Sequence, residues 1–300
     1  MAARRVAVEE EESEMTETEY LAPSTKDEAL LILKEQGTRA RVVAGCTNVI
    51  PDLRAKKLAP QWLVDISGVE ELRYIEKKGQ SVHLGPLSTL ADLLNSDIIK
   101  NHAGVLHQAC RAFADPLVRQ RATVGGNLAN ASPAADSAAP LLALRAVVLI
   151  ESTLAGERAV PLEEFLVGPN RTVLKPDELI TGIRFDSDAH LKKNFIKFGL
   201  RKAMAISLVS VAVSLRMVAD QVAEATVAFG AVAPKPIRAH RLEAYLAGKR
   251  LSNEDLAEAA KIAEGEVSPI SDIRASAEYR RHLSGVLFRR AVKLAVKGES

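Results

Sequence analysis

The chain has 300 residues with 47% apolar and 26% charged content, and 40 Lys and Arg balance 38 Asp and Glu to a formal net charge of +2. This is the make-up of a globular protein with two or three compact units and a large core, and it gives no electrostatic case for nucleic acid. No apolar run nears the roughly 20 residues of a membrane span and the N-terminus has no signal-peptide core, so a cytoplasmic protein is expected.

Residues 1–19 hold Glu9, Glu10, Glu11, Glu12, Glu14, Glu17 and Glu19 with few apolar partners, which predicts a solvated acidic extension, with a partner-binding tail as the other reading. From Ser24 the pattern is helical, with Leu30, Leu31 and Leu33 on the apolar face and Gly37 at the end. Residues 41–43 read as a strand that enters a small-residue turn, Ala44-Gly45-Cys46-Thr47, and a helix that reaches Leu53. A strand, a tight turn and a helix start collect unpaired N–H groups and the positive end of a helix dipole, where a diphosphate can bind. A plain packing turn has the same signature.

Residues 61–66 predict a strand, and residues 72–76 and 81–84 a hairpin around Lys78-Gly79. Residues 87–94 and 98–112 predict helices, the second leading to Phe113 and Asp115-Pro116. The stretch 122–140 follows, in which Thr123 and Val124 precede Gly125, Gly126 and Asn127, and small residues continue to Asp136. Adjacent glycines bare the backbone and permit positive φ, so consecutive N–H groups can face one anionic or carbonyl-rich ligand. A helix at 138–144 and a strand at 146–152 complete an alternation that suggests small α+β lobes.

Residues 179–185, 194–199, 208–218 and 221–231 then run apolar or alternate, as in one antiparallel sheet, with Asp220 marking the last turn. Pro234-Lys235-Pro236 breaks the chain before helices at 238–247, 253–265 (capped by Ser252) and 275–297. The fold class is α+β, divided into residues 20–190, as subdomains of about 20–75 and 76–190, and residues 191–300.

Cys46 and Cys110 are the only cysteines, far apart and without CxxC spacing, so the chain cannot ligate an ordinary iron–sulfur cluster by itself. The six histidines show no metal-ligand spacing, and no acid–base dyad or nucleophile stands out.

With both turns placed, Ala44-Gly45-Cys46-Thr47 resembles the AGGT-like turn, and Thr123-Val124-Gly125-Gly126-Asn127 through Ala131-Ser132-Pro133 to Asp136 the T-[IV]-G-G-N-x-x-x-A-S-P-x-x-D stretch, of the FAD-binding (medium) subunits of molybdenum-containing hydroxylases. Tyr279-Arg280-Arg281 resembles that family's last domain. The resemblance implies a PCMH-type FAD fold of two α+β subdomains, then a domain with an antiparallel sheet and helices. It implies that the first turn (Val42, Val43, Ala44, Gly45, Cys46, Thr47, Asn48 and Val49) holds the FAD diphosphate. Thr123, Val124, Gly125, Gly126 and Asn127 would reach diphosphate and ribityl oxygens, with Asp136 accepting hydrogen bonds from the cofactor.

By the same resemblance Phe113 stands beside the isoalloxazine ring, Ile180 at an apolar flavin or adenine contact and Lys197 at a basic one. As plain residues, Phe113 and Ile180 read equally as core, Asp136 as a helix cap and Lys197 as a strand-surface charge. Cys46 departs from the family's glycine, so a positive φ there would be strained. The implied function is an FAD-carrying electron-transfer subunit between the 2Fe-2S clusters of a small partner subunit and an acceptor such as NAD, with the molybdenum cofactor in a large partner subunit. The other readings are a free-standing flavin oxidoreductase of the same fold and an assembly scaffold that has lost FAD.

Overall fold

The computed structural model describes residues 18–201 and 204–298. The predicted acidic extension thus lies outside the described residues save for Thr18 and Glu19, and Glu19 already belongs to a strand.

The first lobe runs β1 (Glu19–Leu21), α1 (Lys26–Gln36), β2 (Ala40–Val43), α2 (Val49–Arg54) and β3 (Trp62–Asp65). Its three strands are parallel with β3 in the middle, so this lobe is a miniature α/β unit with helical crossovers. Thr25, not Ser24, caps α1 by accepting from the Glu28 N–H, and Gly37 ends the helix at φ 53°. Leu31 lies about 100° round the helix from Leu30 and points outward, 51% exposed, while Leu30 and Leu33 pack on Val64 and Ile66. Leu87 and Leu179 from the next lobe join that core and bind the two lobes together.

The second lobe contains β4 (Ile75–Lys78), β5 (Ser81–Leu84), α3 (Leu90–Asn95), α4 (Asp97–His102), α5 (Gly104–Ala112), α6 (Pro116–Arg121), α7 (Val124–Asn130) and α8 (Ala138–Ala143). It continues through β6 (Val147–Ser152), β7 (Gly156–Pro161), α9 (Leu162–Phe165), β8 (Leu166–Gly168), β9 (Arg171–Thr172) and β10 (Leu179–Asp186). Its main sheet is antiparallel in the order β4-β5-β10-β6-β7, and β8 and β9 form a separate ribbon. The segment at 179–185, grouped above with the later strands, is instead the centre of this sheet. Apolar alternation marks a strand but not its partner.

The predicted helix at 98–112 divides at Ala103, whose φ of −144° breaks the spiral. The cause is Asp188: its carboxylate accepts from the N–H groups of Gly104 and Val105, 3.0 and 3.2 Å away, and starts α5 afresh. Lys193 Nζ, 2.8 Å from the same carboxylate, completes the pair, and Asp188 is fully buried. The segment between the second sheet and the third is therefore clamped to the body.

The last part comprises β11 (Lys192–Phe198), β12 (Val209–Val218), β13 (Gln221–Gly230), β14 (Ile237–Arg238), α10 (His240–Leu246), α11 (Asn253–Glu266) and α12 (Ala277–Lys297). Its antiparallel sheet, β11-β12-β13-β14, is covered on both faces. Val211, Val213 and Leu215 of β12 pack with Leu242 and Phe288 of the terminal helices, whereas Ala212 joins Phe195, Ala228 and the α5 and α8 side chains on the other side. Two-sided cover explains why β12 reads as a nearly unbroken apolar run. At the β12–β13 turn Ala219, beside the predicted Asp220, takes the left-handed φ of 52°. Ser252 and Asp255 form a capping box on α11.

The Tyr279-Arg280-Arg281 motif acts through its middle residue. Arg280 is 3% exposed; it donates to the carbonyls of Leu208 and Ala231 and to Asp272 Oδ1 at 2.8 Å, pinning α12 to the ends of β12 and β13. Burial pushes the Asp272 carboxyl up, but the Arg274 and Ala275 N–H groups and the Arg280 guanidinium outweigh it and hold it at about 2.

Candidate functional site

The two small-residue stretches, 42–49 and 122–140, meet in the fold. A Cβ at Gly45 would lie 1.7 Å from the carbonyl oxygen of Arg121, so the first turn packs backbone to backbone against the residues just before Thr123. Only glycine permits that approach.

The second stretch folds differently from its expectation. Thr123 is the N-cap of α7, and Gly125 and Gly126 form its first turn without positive φ. The Val124 N–H donates to Ser88 O and the Gly125 N–H to Pro86 O, both at 2.9 Å, and the Gly126 N–H to Thr123 Oγ1 at 3.1 Å. These three N–H groups are committed inside the protein because the segment 86–88 runs alongside. A Cβ at Gly125 would sit 2.4 Å from Pro86 Cβ, whereas one at Gly126 meets only Thr123 Oγ1, at 2.7 Å. Gly125 is thus a packing glycine and Gly126 an exposed one. Asn127, next on the helix, accepts through Oδ1 from Ser137 Oγ at 2.6 Å.

The first turn keeps its amides free. Val42 and Ala44 pack on the first-lobe core and Val43 is buried in β2. The main-chain N–H groups of Cys46, Thr47, Asn48 and Val49 meet no acceptor among the described residues, and Asn48 starts α2 with no side-chain cap. Cys46 has φ 60° and Asn48 φ −109°, so left-handed and right-handed residues share one bend, an arrangement that gathers N–H groups into an anion-binding concavity.

Cys46 occupies the left-handed region, the positive φ at which a glycine would be unstrained. A non-glycine residue there costs about 1–2 kcal/mol, and glycine in its place loses about 0.5–1 kcal/mol of chain entropy. Cys46→Gly is therefore expected to raise stability by about 0.5 kcal/mol, read as a higher urea midpoint at unchanged slope.

Around this bend stand side chains that sequence reasoning passed over. The Tyr20 hydroxyl donates to Asp65 Oδ2 at 2.5 Å and the Ser67 N–H to Oδ1 at 2.9 Å. Burial raises the Asp65 carboxyl, but Tyr20, Ser67 and the nearby Arg121 guanidinium leave it below its ordinary value. Burial and Asp65 push the Cys46 thiol up, against the pull of Arg121, so it stays protonated at neutral pH. Tyr20 sits in the strand at the margin of the acidic run, where composition masks it.

Asp136 and Lys197, assigned separate ligand contacts from the sequence, are partners of each other. Lys197 Nζ lies 2.6 Å from Asp136 Oδ2, Ser207 Oγ donates to Oδ1 at 2.5 Å, and both charged side chains are buried. Burial raises the Asp136 carboxyl, and Lys197 and Ser207 pull it back only in part. Asp136 does not cap α8, whose Ncap residue, Ser137, makes no capping bond. Nor is Lys197 a strand-surface charge. Phe113 closes α5, half-buried against the second-lobe core, and Ile180 lies opposite Ile150 within that core.

A paired-lobe scaffold with an amide-lined bend beside the lobe junction, followed by a sheet covered on both faces, is suited to an anionic ligand such as a nucleotide diphosphate. Residues 14–185 match the family model of the FAD binding domain in molybdopterin dehydrogenase, and residues 194–295 that of the CO dehydrogenase flavoprotein C-terminal domain. The chain belongs to this family of FAD-binding molybdopterin dehydrogenase subunits.

It is 33% identical to the glyceraldehyde dehydrogenase medium chain of Sulfolobus acidocaldarius, over 92% of this chain and 98% of the relative. It is 31% identical to the xanthine dehydrogenase FAD-binding subunit of Escherichia coli O157:H7, over 92% and 95%. The solved carbon monoxide dehydrogenase of Hydrogenophaga pseudoflava superposes with a TM-score of 0.91 at 30% identity, covering 94% of this chain and 98% of that one. No helix among the described residues is long and apolar enough to cross a membrane.

Proposed function

We propose that this chain is the electron-transfer subunit of a molybdenum hydroxylase complex and that it holds FAD by its diphosphate at the bend of Cys46, Thr47, Asn48 and Val49. The observation that carries the placement is the run of consecutive N–H groups without acceptors among the described residues, which suits an anionic group such as a diphosphate. Gly45 and Arg121 fix the bend against the second lobe, and on this reading the exposed Gly126 and its neighbour Asn127 form the other side of the flavin cleft. Asp136 and Lys197 act by their pairing, which ties the α7–α8 segment to β11 and so sets the cleft's width. Phe113, half-buried, supplies apolar wall, and Ile180 stays within the second-lobe core.

Bound there, FAD supplies a redox centre that takes electrons singly and releases them in pairs. The residues of this chain bind and orient it and exclude water from one side. The partners are a large subunit with the molybdenum cofactor and a small subunit with 2Fe-2S clusters, and NAD is the acceptor proposed. In support, the relatives named above are medium or FAD-binding subunits of dehydrogenases.

Purified alone, the chain should carry FAD near one per chain and turn over no hydroxylase substrate. Mixed with its two partner subunits, it should bleach when substrate is added and regain colour with NAD. Turnover by the chain alone would favour a free-standing flavin oxidoreductase, and a colourless chain that takes up no added FAD would favour a scaffold.

A further inference from the structure

A second cavity lies away from the amide-lined bend, between the five-stranded sheet and the C-terminal sheet, with a volume of about 420 Å³. Its mouth carries the exposed side chains of Arg145, Arg184, His190 and Arg216, and its floor includes the buried Ser214 and Thr226. Ser214 stands four residues along β12 from Ser210, the cross-strand partner of Lys197. At about 3.3 Å per residue this is roughly 13 Å from the Asp136–Lys197 pair's end of the strand, so the cavity is distinct from the proposed flavin cleft.

Two observations give the cavity a chemistry. The first is Ser214. It is 2% exposed, and its Oγ has no hydrogen-bond partner among the described residues. It projects from the face of β12 opposite Val213 and Leu215, which pack on the terminal helices, and so looks to the cavity side. Its neighbour Thr226 satisfies its own hydroxyl by donating to Ala143 O at 2.7 Å, so the lack at Ser214 is not shared by the other hydroxyl of the floor. Buried hydroxyls are seldom left without a partner in native proteins, and a ligand atom would supply one.

The second is the balance of charge. Arg145 and Arg216 share a single carboxylate, Glu224, and the other acid of the cavity, Asp186, accepts from Ser81 Oγ. Arg184 makes no ion pair among the described residues. Three guanidinium groups thus face two carboxylates, and the guanidinium fork matches phosphate oxygens. Val147, Phe185 and Leu191 add apolar wall suited to an organic body. The volume falls in the range of small-molecule sites, which begins near 300 Å³.

We propose that this cavity binds a small organic phosphate of about nucleoside monophosphate size, its phosphate held by Arg184 and Arg216 and a polar atom of its body by Ser214. The site is independent of the flavin placement, because none of these residues belongs to it. The test uses the full-length FAD-loaded chain, so that a nucleotide cannot enter the flavin cleft, and titrates AMP by calorimetry with and without inorganic phosphate.

AMP is expected to bind with a sub-millimolar Kd and to be displaced by inorganic phosphate. Arg184→Ala, a change at an exposed side chain, should weaken binding about tenfold or more by removing a charge-assisted contact. Ser214→Ala should weaken it about fivefold on the scale of a neutral hydrogen bond. FAD content should be the same in all three proteins. Failure of AMP to bind at millimolar concentration, or binding unaltered by both Arg184→Ala and Ser214→Ala, overturns the assignment.

Discussion

Gly45→Ala is expected to strip the chain of its flavin nucleotide. The added methyl would fall 1.7 Å from the Arg121 carbonyl oxygen, an atom of backbone that no rotamer change can move. The bend must retreat, and with it the N–H groups of Cys46 to Val49. Hydrogen bonds to charged groups contribute about 1.5–3 kcal/mol each, so misplacing two of them should weaken FAD binding at least 100-fold. Overpacking of this kind also costs about 1–3 kcal/mol in stability. The ratio of flavin to protein absorbance after gel filtration reads the first effect and thermal melting the second. Retention of one FAD per chain would refute the position given to the diphosphate. Gly126→Ala supplies the contrast, since its methyl meets only the Thr123 hydroxyl and should cost no more than the cap, about 0.5–2 kcal/mol.

Asp136→Ala should unfold the protein at markedly lower urea, by about 3–5 kcal/mol, because it leaves the Lys197 ammonium buried without its counter-charge. The same change removes the acceptor of the Ser207 hydroxyl and frees the α7–α8 segment from β11. The informative companion is Asp136→Leu with Lys197→Met, an apolar exchange of both partners. Replacing a whole buried pair is often neutral, so the double variant should recover most of the lost stability. If it does so and FAD affinity returns with it, the pair works by holding the cleft's walls. A double variant that is stable yet empty of flavin would show instead that the charges themselves touch the cofactor.

These expectations rest on features of uneven visibility in the sequence. Residue order marked both bends, since few segments pack Gly, small residues and Asn between apolar runs as 42–49 and 122–140 do. What it did not mark was their different roles. Two glycines in tandem suggest free amides, but whether an amide is free depends on what lies beside it. Here Pro86 and Ser88, over 30 positions upstream, take the N–H groups of Gly125 and Val124. Gly45, whose neighbour Cys46 departs from the family pattern, kept the open bend.

The same limit applies elsewhere. Lys197 and Asp136 are 61 residues apart, and nothing local says that they meet. The helix at 98–112 is broken by an aspartate 84 positions downstream from Gly104. The strand at 179–185 announces its own conformation yet gives no hint of the sheet it completes. Asp115 and Pro116, by contrast, carry a local signature of α6, an N-cap followed by proline at the first helical position, although the sequence reading assigned no helix there.

The two-sided cover of the β11–β14 sheet reaches beyond packing. One side of that sheet, with Phe195, Ala212 and Ala228, is roofed by α5 and α8 from the preceding lobe, and Asp188 rivets the connecting segment to α5. A fragment beginning after Asp188 would carry a bare greasy wall where its sibling used to sit. Severed from its neighbour, the C-terminal third would accordingly be driven to self-associate through that uncovered face.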